Sequence, residues 1–472
     1  MGYEPHFGSK AGGKRKLVHF RHCVLLGATI CLQISPESSA MPLEEALARA
    51  YNMNPQLLAE RAQLRATDEE VNQAVAGWRP TVQISGQGGY SQDIATGGTA
   101  GQDQFYSNQA PHASVGANIT QALFNSHIGD STDQAMNEVR AERSHLDDIE
   151  QQIFLKVITD YVDLVRDEAK LDLEVNNEQV LSERLASDKA RFNGGELSRA
   201  DVAETEAAYQ QATAERAVAE SNVSISRLNF VRDVGEAPGK VEYPTMTVPL
   251  PSDPDEISKI AATQNPAVRS AEFTLDSAEN AIDLAIDQAL PQVALVGSYQ
   301  HAEGASFRGE HENTESAMLR LTMPIYSGGT TESQTRAARE TAEVRRNQLE
   351  NTRANVVATA FSSAEQLQAA QRSMVAYSAQ IKANEVSLRG VQYQELAGER
   401  TILDVLNVQQ TLLEAQVNYV SARHDYIVAQ YTLAEALGRL TVDNILPHTT
   451  PYDKTKHLKE IRGKWFGFGR AP

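Results

Sequence analysis

Two stretches, His127 to Asn193 and Thr330 to Leu396, each run for 67 residues without a proline. As helices, at 1.5 Å per residue, each would be about 100 Å long, far beyond the reach of a helix in a globular domain. No other feature constrains the fold so strongly. A helix of that length cannot be covered by one compact core and must pack along narrow seams. The composition agrees: aromatic residues are 6% of the 472, while Ala, Gln, Glu and Asn crowd the long segments. In the first stretch Ile149, Ile153, Val157, Tyr161 and Leu164 mark one apolar stripe, with Phe154, Ile158, Val162 and Val165 beside it. Two adjacent stripes require two neighbours, as in a ring of helices rather than a simple dimer.

The two stretches belong to a tandem repeat. RFNGGELSRADV, from Arg191, echoes in YQELAGERTILDV, from Tyr393: Gly195, Ser198 and Asp201 return as Gly398, Thr401 and Asp404. Asn54-Pro55 recurs as Asn265-Pro266, and Gly235 as Gly438. We divide the chain into repeat 1 (41–236), a proline-rich connector (237–254), repeat 2 (255–440) and a basic tail (441–472). Residues 447–472 are expected to be disordered, with a periplasmic docking element as the alternative. Residues 1–40 read as a secretory signal peptide: Lys14-Arg15-Lys16, an apolar run from Cys23 to Ile34, then Ser38-Ser39-Ala40. Both cysteines, Cys23 and Cys31, fall inside it, so the processed chain would hold no thiol. Loss of five basic and two acidic residues with the leader takes the net charge from −19 to −22, which excludes nucleic acid as a partner.

Each repeat has the same order. A helical stretch broken at the Asn-Pro pair comes first, since Asn caps and Pro starts a helix. Two alternating segments follow. Ala113, Val115, Ala117, Ile119 and Leu123 share one face; Ala317, Leu319, Leu321, Met323 and Ile325 do the same in the second copy. The partner segments carry Val82, Ile84 and Tyr90, and Val293, Leu295 and Tyr299. Each run is close to the roughly 9–11 residues of a tilted membrane strand. Polar, glycine-rich connections (Asp93–Pro111 and His301–Glu315) read as loops beyond the bilayer. The long helix comes next, then a tight turn, then a shorter returning helix (Ser198–Val234; Thr401–Leu437). In the turns, Gly195 and Gly398 suit left-handed positions, and Ser198…Asp201 and Thr401…Asp404 fit capping boxes.

Four strands cannot span a membrane alone, because lipid forbids open sheet edges. Closure needs at least about eight strands, so two or more chains must share a barrel. A trimer would supply twelve.

The chain resembles the TolC family of outer-membrane channels over about Met41 to Asn444, through this duplicated order and the phrase AGERTILDVLNVQQTLLEAQVNYVSARHDYIVAQYTLAEALG, from Ala397 to Gly438. The resemblance implies an α+β membrane protein: a trimeric twelve-stranded outer-membrane β-barrel, four strands per chain, continued by a long periplasmic α-helical barrel. It implies a homotrimer in outer-membrane lipid, working with a periplasmic adaptor (a membrane fusion protein) and an inner-membrane ABC or RND transporter. The tip turns would form the closed periplasmic entrance. Asp404 matches the family's pore ring, Arg400 its linking arginine, and Asp201 a partner carboxylate. Asn407 replaces a second ring aspartate, Glu395 an expected tyrosine, and Ala200 a threonine, so the ring carries three charges and the latch uses other contacts.

An enzyme is not expected: GxSxG, Walker A and HExxH motifs are absent from the sequence. No cofactor and no metal are assigned; His301 and His311 read as polar surface of an external loop. The function expected is the exit duct of type I protein secretion, with multidrug efflux as the alternative. A periplasmic coiled-coil adaptor is the rival of another class.

Overall fold

The computed structural model describes residues 41–97, 104–246, 248–304, 309, 311–467 and 469, and the expected leader lies outside them. Helices α1 (Leu43–Met53) and α2 (Pro55–Ala76) lead into strands β1 (Thr81–Gly97) and β2 (Gln104–Phe124). The 68-residue α3 (Ser126–Asn193) follows, and α4 (Arg199–Val234) returns along it. The second copy repeats this order: α5 (Pro254–Gln264), α6 (Pro266–Asp287), β3 (Gln292–Glu303), β4 (His311–Thr322), the 67-residue α7 (Thr330–Leu396) and α8 (Ile402–Ala436). Two short helices, α9 (Val442–Ile445) and α10 (Lys456–Ile461), complete the described elements.

The Asn-Pro pairs have a double role. Asn54 accepts from the backbone N–H groups of Gln56 and Leu57 at 2.9 and 3.3 Å, capping α2, while Pro55 occupies its first turn. The same side chain donates to the Asp233 carbonyl at 3.3 Å, near the end of α4. Asn265 caps α6 through Ala267 at 2.9 Å and donates to the Ala436 carbonyl of α8 at 3.0 Å. Each asparagine therefore satisfies an orphan donor at one helix start and a carbonyl at another helix end. Gly438 follows at φ +69°, where a Cβ would lie 2.7 Å from the Gln264 carbonyl oxygen. Glycine is required there on two counts.

Helices α1 and α2 lie along α3, as α5 and α6 lie along α7, and α6 also packs on α3 to join the repeats. The apolar stripes expected on α3 are buried, every one of their nine residues at 8% exposure or less. They form the main core with Leu47 and Tyr51 of α1, Phe230 of α4 and Leu440. Tyr51 stacks on Phe154 at 5.8 Å, and Tyr161 meets Phe230 at 6.1 Å. The Tyr161 hydroxyl donates to the Met41 carbonyl at 3.1 Å and accepts from Glu242 N–H at 3.2 Å, fastening both the chain's entry and the connector to α3. The second repeat is barer. Val344, Phe361, Val375 and Val386 of its α7 are exposed; in the first repeat the returning helix α4 likewise exposes Val218, Ile225 and Leu228.

The four strands form one antiparallel sheet in the order β1-β2-β3-β4. Its register aligns Val82, Ile119, Gly297 and Ala317 in one row and Ile84, Ala117, Tyr299 and Glu315 in another. Val293, Leu295, Leu319 and Leu321 share that face, and Val82, Ile84, Leu319 and Leu321 are all exposed. The opposite face carries Gln83, Asn118, Ser298 and Ser316, the two serine hydroxyls 2.7 Å apart. A bulge between Ala122 and Phe124 interrupts the β2–β3 ladder beside Leu123.

Two expectations need correction. The first strand pair reaches 17 and 21 residues, because pairing continues to Gly97–Gln104 through the segment read as a loop. Likewise β3 runs to Glu303 and β4 starts at His311, so His301 and His311 lie on paired strands rather than in a loop. Backbone hydrogen bonding continues past the last apolar side chain, which is where an alternation reading stops. The tail is not disordered over its described residues. Lys454 pairs with Asp147 and, at 3.1 Å, with Glu150. Tyr452 N–H donates to the Tyr51 hydroxyl at 2.8 Å, and the Arg61 guanidinium lies between the Tyr51 and Tyr452 rings at 4.3 and 4.9 Å. His457 Nε2 also lies 3.6 Å from Glu69 Oε1 of α2. Among the described residues no helix is long and apolar enough to cross a membrane.

Candidate pore entrance

The turns α3–α4 and α7–α8 lie at the ends of the long helices remote from the strands. Their glycines, Gly195 and Gly398, both have φ +78°, with nothing within 4 Å of where a Cβ would sit. The left-handed backbone alone selects glycine. In each turn two crossing bonds close the helix: Glu196 N–H to the Arg191 carbonyl at 2.9 Å with Gly195 to Phe192 at 3.0 Å, and Glu399 to Gln394 at 2.8 Å with Gly398 to Glu395 at 3.0 Å.

Both capping boxes form. Asp201 N–H donates to Ser198 Oγ at 3.2 Å, and Ser198 N–H donates to Asp201 Oδ2 at 2.9 Å. Thr401 and Asp404 repeat this at 3.2 and 2.9 Å, and the Thr401 hydroxyl adds a bond to Oδ2 at 2.9 Å. The backbone N–H of Ser198 holds the Asp201 carboxyl below its ordinary pKa, and that of Thr401 does the same for Asp404. Capping uses only Oδ2 of Asp404. Oδ1 faces Arg400 Nη1 at 3.7 Å on the exposed surface. Arg400, expected to link to a neighbouring helix, thus approaches the carboxylate one turn along its own chain. Asn407 is exposed on the next turn, where its carbonyl accepts from the Thr411 hydroxyl at 2.8 Å.

The inter-helix link at this end is made by Glu395. Its carboxylate, 5% exposed, accepts from Arg191 Nη1 at 2.9 Å and meets Arg184 Nη2 at 3.2 Å, tying α7 to α3. Beneath it Asp188 is fully buried, contacts Arg184 Nε at 3.2 Å and accepts from the Thr205 hydroxyl of α4 at 2.8 Å. The bond to Glu395 raises the Arg191 pKa further. The sequence reading singled out Glu395 as a departure but not Arg184, Asp188, Arg191 and Thr205. A signal was present: Arg184, Asp188 and Arg191 fall at i, i+4 and i+7, one charged face of α3. Nothing local showed that its partner lay some 200 residues on.

An exposed apolar sheet face whose outer strands β1 and β4 each pair on one side only among the described residues, continued by two long helical hairpins, defines one share of an outer-membrane duct. The chain belongs to the outer membrane efflux protein family, whose pattern it matches over residues 46–236 and 257–439. It is an outer-membrane protein of a family of passive channels, not an enzyme. The outer membrane efflux protein BepC of Brucella suis is 29% identical over 451 residues, covering 95% of this chain and 96% of its own. The outer membrane protein TolC of Vibrio cholerae is 26% identical over 444 residues, covering 89% and 97%. Among solved structures, the CmeC outer membrane channel of Campylobacter jejuni superposes with a TM-score of 0.75 at 14% identity, over 89% of this chain and 88% of that one. This chain shares the expected fold: four strands in one sheet, continued by a long helical domain.

Proposed function

We propose that three copies close one twelve-stranded barrel and that the assembly is the exit duct of a tripartite export system. The sheet's edges carry the proposal: among the described residues β1 and β4 each pair on one side only, and their apolar residues are exposed. In lipid such edges must pair with other copies. The exposed apolar residues of α4 and α7 supply matching seams for the helical part. Cargo would arrive from an inner-membrane transporter through a periplasmic adaptor. Three copies of Asp404 would ring the periplasmic mouth with negative charge, which favours cations and opposes anions. Asn407 adds no charge to that ring, Gly195 and Gly398 shape the turns, Asp201 is a cap, and Glu395 with Arg184 and Arg191 holds the mouth shut.

The cargo we favour is a type I secreted polypeptide. The inner face of the sheet is mostly polar, with rows such as Ser85, Gly116, Gln300 and Thr314, and suits a hydrated, extended chain. Small-molecule efflux is the second reading, favoured by the similarity to the Brucella outer membrane efflux protein BepC. A strain lacking the protein separates them. Loss of secretion of a polypeptide exported by its ABC partner, with unchanged drug susceptibility, supports the first. Drug sensitivity with intact secretion supports the second, and no change in either overturns the duct.

A further inference from the structure

The strand pairing beyond the apolar band brings together three side chains of types that can ligate a metal. His301 and Glu303 are two residues apart on β3 and so share a face, and Glu303 stands directly opposite His311 of β4. Val293, Leu295 and Tyr299 lie on that same face, so the cluster continues the lipid-facing rows at the end remote from the helices. Glu303 Oε1 is 3.6 Å from His301 Nε2 and 3.5 Å from His311 Nδ1. The three ligand atoms all lie within 4.8 Å of one another. The imidazole rings are parallel within 9°, their centroids 6.2 Å apart.

We propose that His301, Glu303 and His311 form a binding site for a borderline divalent cation such as Zn2+, on the outer face of the barrel at its external rim. These spacings are long for direct hydrogen bonds. They match the edge of a tetrahedron whose ligands sit about 2.0–2.2 Å from a metal, which is about 3.4 Å. Two imidazoles and one carboxylate are a common set for Zn2+, with a water in the fourth position. The support expected behind such a ligand is present. Asn313, the cross-strand partner of His301, places Oδ1 2.7 Å from His301 Nδ1. An N–H there would donate to the amide oxygen and leave the Nε2 lone pair directed at Glu303. Tyr299 also reaches Asn313 Oδ1, at 3.5 Å. The ligands come from both strands of one hairpin, so each protomer holds a complete site and the ion would staple the β3–β4 ends together.

The test uses the full-length processed protein, stripped with EDTA and titrated with ZnCl2 in detergent by calorimetry. One Zn2+ should bind per protomer. The double variant His301→Ala/His311→Ala should take up none at the same concentrations, and Asn313→Ala should bind about 10-fold more weakly. Single-channel conductance in planar bilayers, unchanged in these variants, shows that they assemble. The proposal is overturned if the wild-type protein binds no Zn2+, or if the double variant still binds one per protomer.

Discussion

Replacing Glu395 by Gln should unlock the periplasmic end. The substitution keeps the side chain's shape but removes the charge that two arginines share. Breaking a fully buried pair by removing one partner costs about 3–5 kcal/mol, because the other charge stays buried. Here the guanidinium partners are 21% and 31% exposed and regain some water, so about 1–3 kcal/mol per protomer is expected. That loss falls on the bond between α7 and α3, while the turns and caps beside it remain. Each 1.4 kcal/mol shifts an equilibrium about tenfold. Summed over three protomers, even the lower figure moves a closed mouth substantially towards open. The assay is single-channel conductance in planar bilayers, with Glu220→Gln as the control. Glu220 pairs with Arg216 at 2.9 Å on the exposed surface of α4, where such pairs contribute little. Glu395→Gln should raise conductance and Glu220→Gln should not. A Glu395→Gln channel that inserts normally and conducts like the wild type would refute the clamp.

Asp404→Ala and Asp201→Ala should each weaken a helix start by removing one arm of its capping box, but only Asp404→Ala should weaken cation preference, read as the reversal potential under a salt gradient. The lowered pKa of Asp404 means its charge should persist to lower pH than that of an ordinary aspartate, so cation preference should decline only below the ordinary aspartate range. Gly398→Val should cost on the order of 1 kcal/mol or more, all of it backbone strain because the space is open, and should speed hydrogen exchange in residues 396–401. On α8, burial pushes Glu435 up to about 7, aided by Asp148. Between the ordinary carboxylate value and about 7 the folded state binds more protons than the unfolded one, so stability falls as pH rises, by up to about 3 kcal/mol per protomer. Glu435→Gln should raise the thermal midpoint at pH 8 and flatten its pH dependence between 5 and 8; a midpoint that still falls equally steeply would count against it.

What was legible in the sequence follows from which interactions are local. The turn glycines, the capping aspartates and the helix-breaking Asn-Pro pairs act within a few residues, so their spacing carries their geometry. The double stripe on α3 was equally plain, since burial repeats at helical period. The second bonds of Asn54 and Asn265, to carbonyls at distant helix ends, left no local trace. The same holds for Glu395: its burial depends on Arg184 and Arg191 of the other repeat. Strand ends were missed because polar residues such as His301 and His311 continue a ladder without continuing an apolar pattern. The tail misled through composition. Its basic character read as disorder, yet Lys454 meets Asp147 and Glu150 on α3.

The account places Asp404 at the narrowest part of a mouth shared by three chains. The only cysteines of the sequence are Cys23 and Cys31 in the expected leader, so Asp404→Cys would put a single thiol on each processed chain. Channels of this variant in a planar bilayer are exposed, from the helical side, to a bulky maleimide. Three labels converging on one constriction should remove most of the current. Complete labelling by mass spectrometry with the conductance unchanged would contradict the assignment of this end as the pore entrance.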